Sequence, residues 1–145
     1  MDQMRSDDQT IRFDREQTRR VYSALTTGDA ERCGCSSCLN FAAQRQAAYP
    51  ESFRLLLGQL GIDPETEGEV YECGSEDRLY VYGGWFYFVG EFVEPGERAN
   101  TSLGSHFQYW FGDAKRLPKA QVDFGEKVLS LEFVTRVPWV ISRKP

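Results

Sequence analysis

The spacing of apolar positions changes near residue 69. Before it they recur at intervals of three and four; after it they alternate. Asp14 with Gln17 three residues on is a helix start, and Val21 and Leu25 stand four apart beside Tyr22. This predicts a first helix that Gly28 stops. A second helix is expected from Cys38 or Leu39 to Ala48, with Phe41, Ala42 and Ala48 inward. Pro50 then opens a third, lined by Phe53, Leu56, Leu57 and Leu60 and ended by Gly61.

Residues 69–73 read as a short strand. Residues 78–82 and 85–92 read as two strands joined by a hairpin turn at Gly83-Gly84, with a bulge at Gly90. Residues 106–111 and 127–134 alternate cleanly, with Phe107, Tyr109 and Phe111 on one face and Leu129, Leu131 and Phe133 on another. Pro138 demotes the last apolar run to an edge or covering segment. Helices first and strands after predict an α+β fold, N-terminal helices packed on one face of a C-terminal antiparallel sheet.

A chain of 145 residues suits a single domain over 1–145. Residues 1–9 are polar and expected to be a loose tail, 10–68 the helical half with the cysteine cluster, and 69–145 the sheet half. Hydrophobic residues make up 41% of the chain, enough for a core and against disorder. The net charge of −5 argues against nucleic acid as a partner. The longest apolar stretch is about half a membrane span. With no secretory pattern at the N-terminus, a cytoplasmic protein is expected, in a compartment that keeps thiols reduced.

The four cysteines carry the one sharp chemical signal. Cys33-Gly34-Cys35-Ser36-Ser37-Cys38 is C-x-C-x-x-C, and Cys73 lies beyond 34 intervening residues. Four thiolates make a closed tetrahedral site for one structural Zn²⁺. Small residues between the cysteines let the backbone curl around an ion. Cys73 would tie the helical half to the sheet, and Arg32 and Arg45 would offset the excess negative charge. His106, the only histidine, is an alternative to one thiolate. A second reading takes Cys35 and Cys38 as a redox or metal-sensing C-x-x-C pair at a helix N-terminus.

No phosphate-binding, dinucleotide, zinc-protease or nucleophile-elbow motif is present. A third reading, a small enzyme, would use carboxylates among Glu67, Glu69, Glu72, Glu91, Glu94 and Glu132, whose ordinary role is as solvated charges. The runs 79–82 and 85–89 are apolar on both alternating sets, so both faces of the sheet need cover. The segment around Trp139, a second copy, a protein partner or a ligand could supply it. Tyr80, Tyr82, Trp85, Tyr87, Trp110 and Trp139 are the expected partner surface. The pattern favours a zinc-stabilised, non-enzymatic interaction domain, possible homodimer included, and names no reaction.

Overall fold

In the computed structural model of the chain, residues 1–97, 100–120 and 122–145 are described. Among the described residues, five helices and a seven-stranded antiparallel sheet make it a mixed α+β protein. The strands are β1 (Asp2–Ser6), β2 (Gln9–Phe13), β3 (Glu69–Glu76), β4 (Leu79–Glu94), β5 (Thr101–Ser102), β6 (Phe107–Gly112) and β7 (Val128–Val137). The helices are α1 (Arg15–Ser23), α2 (Asp29–Cys33), α3 (Ser36–Ala43), α4 (Arg45–Ala48) and α5 (Glu51–Leu60). The sheet runs β1-β2-β4-β7-β6-β5, with β3 also on β4. Among the described residues no helix is long and apolar enough to cross a membrane.

The first nine residues are not a loose tail. They supply β1, the turn at Asp7 and the start of β2, with Met4 paired to Ile11. Polar side chains hid this strand, because an edge strand buries little. Its partner β2 is anchored by buried Gln9, whose side-chain amide takes both backbone groups of Phe111 on β6 at 2.9 Å. That pairing draws the two ends of the sheet toward each other.

Gly83-Gly84 is not a turn. β4 runs unbroken through it for 16 residues, and the hairpin lies at Asp77-Arg78, both at positive φ as a tight primed turn requires. The glycines are there for lack of a side chain. A Cβ on Gly83 would meet the Tyr71 ring at 2.6 Å, and one on Gly84 the Phe133 ring at 2.7 Å. Gly90 marks no register shift; that irregularity lies between Thr10 and Ile11. At Gly90 β4 instead begins pairing with β2.

Between the start of β3, at Glu69, and the end of β2, at Phe13, one edge of β4 lacks a strand. Helix α1 fills the gap. Thr18 Oγ1 accepts from the Val89 N–H at 2.9 Å, Tyr22 Oη donates to the Tyr87 carbonyl at 2.7 Å, and the Asp14 N–H donates to the Val89 carbonyl at 3.0 Å. Buried backbone groups need such partners, which explains a fully buried threonine. Asp14 caps the helix on the Gln17 N–H at 3.0 Å. The helix stops at Ser23, before Thr26-Thr27, and Gly28 caps the start of α2 instead of ending α1.

The second predicted helix is two. α3 starts at Ser36 and breaks at Gln44, and α4 carries on to Ala48. Phe41 and Tyr49, with Phe53 of α5, meet the sheet. Phe133 of β7 lies 6.2 Å from Phe41, 5.2 Å from Tyr49 and 6.0 Å from Phe53, ring centre to ring centre. Phe53 in turn lies 4.6 Å from Phe107 of β6. Leu57, Leu60 and Leu131 close this core around the rings.

The opposite alternation of β4 is covered from within the chain. Phe124, on the β6–β7 loop, sits 6.2 Å from Tyr87 and 5.7 Å from Tyr22. The Tyr87 hydroxyl donates to the Pro118 carbonyl on the same loop.

Candidate metal centre

The cysteine trio occupies the junction of two short helices. Cys33 is the last residue of α2, Gly34 turns the chain at φ 69°, and Cys35 is the N-cap of α3. Left-handed backbone is what glycine gives cheaply, and it ends α2 by the Gly34 N–H donating to the Ala30 carbonyl. The next residues can then start α3 at once. Cys38, one turn into α3, comes back over Cys35, and its N–H donates to Cys35 Sγ at 3.4 Å.

The three Sγ atoms lie within 4.8 Å of one another. Thiolates held at about 2.3 Å by a tetrahedral ion sit about 3.8 Å apart, so a small closing motion brings this trio onto one ion. Three sulfur donors suit a soft or borderline metal. The trio can hold a metal ion. Cys33 and Cys35 are exposed and Cys38 is buried. The Cys38 N–H bond is the main force holding the Cys35 thiol below its ordinary range, against a smaller upward push from burial. Burial pushes the Cys38 thiol well up, and its neighbours' thiols add to that.

Cys73 does not join this group among the described residues; it is exposed on β3. The register with β4 shifts between Glu72 and Ser75, and Gly74 has φ 111°, so Cys73 rides an irregular stretch of strand. Its neighbour Glu72 approaches the Ser37 hydroxyl, which donates to Oε1 at 3.5 Å. His106 is also outside the trio, exposed just before β6.

The two arginines are engaged by carboxylates. Arg32 lies 3.7 Å from Asp29 and donates to the Thr27 carbonyl at 2.8 Å. Arg45 reaches both oxygens of Glu31, at 2.7 and 3.0 Å, and Glu67 Oε1 at 2.9 Å. Glu67 also accepts from the Ala30 N–H at 3.0 Å and is 1% exposed. It is therefore no solvated charge: it pins α2 and α4 to the chain leading into β3. Burial pushes its carboxyl up, while Arg45 and the Ala30 N–H pull it back. Burial pushes Glu31 the same way, but there the Arg45 bonds win and its carboxyl is held low.

Asn40 was hidden by its place in a helical pattern. Fully buried, it donates to the Tyr82 hydroxyl at 3.2 Å and the Pro138 carbonyl at 3.1 Å, and accepts from the Val140 N–H at 2.7 Å. Tyr82 donates onward to the Ser37 carbonyl at 2.7 Å. Only the isolated amide in an apolar run could have signalled this. The C-terminal segment thus lies against α3, and Arg143 donates to the Gly34 carbonyl at 3.3 Å.

Of the six aromatic residues expected to face a partner, Tyr82, Trp85 and Tyr87 are buried within the chain. Tyr80, Trp110 and Trp139 are half-buried, and Trp139 packs on Tyr80 at 5.1 Å. The remaining carboxylates also differ from one another. Glu72 and Glu94 are exposed, whereas Glu132 is half-buried, its carboxyl pushed up by burial and accepting from Ser130 at 3.1 Å.

In comparisons with known proteins, no family model, no curated protein and no solved structure matches this chain at a significant level.

Proposed function

We propose that the chain is a zinc-stabilised, non-enzymatic interaction domain of the cytosol, with Cys33, Cys35, Cys38 and Cys73 as ligands. The observation that carries this reading is the three Sγ atoms within 4.8 Å at a helix junction. Support for Cys73 is indirect: Glu72 beside it already approaches Ser37, and the irregular backbone around it leaves room to move. An ion held by all four sulfurs would join the α2–α3 corner to β3 and raise stability by the free energy of its binding. The half-buried Tyr80, Trp110 and Trp139 are the remaining candidates for a surface shared with a second copy or another protein.

The test is metal content of protein prepared without added zinc. About one zinc per chain is expected, lost in Cys38→Ser together with part of the thermal stability. Cys73→Ser decides the fourth ligand: full retention of zinc at unchanged affinity would remove Cys73 from the site. Metal-free protein of unchanged stability would overturn the reading. Light scattering of the pure chain reads its oligomeric state.

The exposed Cys35 over the buried Cys38 supports a second reading, dithiol exchange. Cys35 thiolate would attack a substrate disulfide to form a mixed disulfide, releasing one substrate thiolate. Cys38 would then displace the second, leaving a Cys35–Cys38 disulfide and a substrate reduced by two electrons. Rapid alkylation of Cys35 in zinc-loaded protein, with turnover in a disulfide reduction assay, would favour this reading over the first.

A further inference from the structure

After β7 the chain ends in an irregular segment, residues 138–145, with neither helix nor strand. Among the described residues, every hydrogen bond between this segment and the rest of the chain ends between Gly34 and Gln44. Asn40 Nδ2 and Gln44 Nε2 donate to the Pro138 carbonyl at 3.1 and 2.7 Å. The Val140 N–H donates to Asn40 Oδ1 at 2.7 Å, and Arg143 donates to the Gly34 carbonyl at 3.3 Å. Within the segment, Trp139 Nε1 donates to the Arg143 carbonyl at 2.8 Å, and the Trp139 ring packs on Tyr80.

The same stretch frames the metal centre. Gly34 sits between Cys33 and Cys35, and Asn40 stands two residues beyond Cys38 in α3. Asn40 is fully buried and reaches the cysteine turn by a second route: the Tyr82 hydroxyl accepts from its amide and donates to the Ser37 carbonyl. A buried amide that loses its partners costs free energy, so α3 and the segment hold each other in place. Helix α2 has five residues and α3 eight, lengths that are marginal without outside support. An ion on Cys33, Cys35 and Cys38 would fix both sides of Gly34 and the first turn of α3 at once. What the ion has ordered, the segment no longer has to order when it docks, and the converse holds.

We propose that metal binding at the cysteine trio and docking of residues 138–145 reinforce each other, which makes the surface formed by Trp139 and Tyr80 responsive to metal. This rests on the metal reading of the trio and requires no particular fourth ligand. By linkage the coupling has one factor in both directions: the ion tightens the segment as much as the segment tightens the ion.

The Val140 N–H reads the state of the segment, since its acceptor is the buried Asn40 side chain while the rest of Val140 is exposed. Hydrogen exchange of the full chain is followed amide by amide by NMR, with saturating zinc and with chelator. Zinc should slow exchange at Val140 about tenfold, a coupling of ordinary size. The Gln17 N–H, held in the same way by the Asp14 side chain at the start of α1, should not change. The converse uses the double variant Gln44→Ala, Arg143→Ala, which removes two anchors and leaves Asn40 and every thiol in place. Its zinc affinity, by competition with a chromophoric chelator, should fall about fivefold, short of the full factor because Asn40 still holds Val140. Zinc bound with Val140 exchange unchanged, or slowed no more than Gln17, would overturn the proposal and leave the metal centre standing. So would an unchanged zinc affinity in the double variant. A chain that binds no zinc removes the metal reading itself, and the coupling with it.

Discussion

The aromatic core and the cysteine corner sit at the two ends of the same short helix, α3, and are held together by opposite means. In the core, Phe41, Tyr49, Phe53 and Phe133 exclude water by area, and the sheet behind them is paired strand to strand. No further partner is required. In the corner, Cys33 and Cys35 are exposed, α2 is a five-residue helix, and order comes from Arg45 between Glu31 and Glu67. Dispersion and burial are non-directional and tolerate small shifts. Ion pairs and hydrogen bonds are directional, and losing one partner leaves the other stranded. The lesson is that the corner's geometry is set by polar pairing, and that a metal ion would add to a frame already present.

The largest expected effect separates the two. Phe133→Ala should cost roughly 3–5 kcal/mol in urea unfolding, since it empties the meeting point of both layers. The loss should be the same with and without chelator. If chelator changes it substantially, the core and the corner are one cooperative unit and the contrast fails.

Next comes Arg45→Met, which strands Glu67 in the interior. A loss of roughly 3 kcal/mol at neutral pH is expected, at the lower end for breaking a buried pair. Its pH dependence gives the sign. Burial already raises the Glu67 carboxyl in the folded chain, and removing Arg45 raises it further. A carboxyl raised on folding stabilises the protein while protonated, and that gain is lost as pH rises through the folded value. The variant's deficit should therefore shrink in mildly acidic solution and be full at neutral pH. A deficit independent of pH between these limits would mean Glu67 carries no buried charge.

The smallest effect is expected at the start of α1. Asp14→Ala removes the cap of α1 and should cost about 1 kcal/mol by thermal or urea unfolding. Because α1 also fills the gap beside β4, a loss several times larger would show that the sheet edge, and not the helix end, depends on this cap.

How much of the molecule was legible depends on how local each signal is. The caps at Asp14 and Gly61 and the alternation in β6 and β7 depend on a few neighbouring residues, and the structure has them where the pattern puts them. The closeness of Cys33, Cys35 and Cys38 is of the same kind, since six residues around a flexible glycine cannot hold them far apart. Gly83 and Gly84 misled because turns and close approaches both select glycine, and only the Tyr71 and Phe133 rings show which applies. Glu67 misled because a carboxylate in a loop is ordinarily wet, and its partner Arg45 lies 22 residues away. Tyr87 promised a partner surface because nothing near it in the chain revealed that Phe124 would pack on it.

Taken alone, the order of residues determined the mixed class of the fold, the cap of α1, the end of α5, the alternation of β6 and β7 and the clustering of three thiols, all consequences of short-range stereochemistry and spacing. Tertiary structure decided the rest: the N-terminal hairpin, the unbroken β4, the burial of Glu67 and Asn40, and the place of Cys73 outside the trio. Those depend on which distant segments share the same space, and burial, pairing and the cost of an unpaired polar group are settled only there.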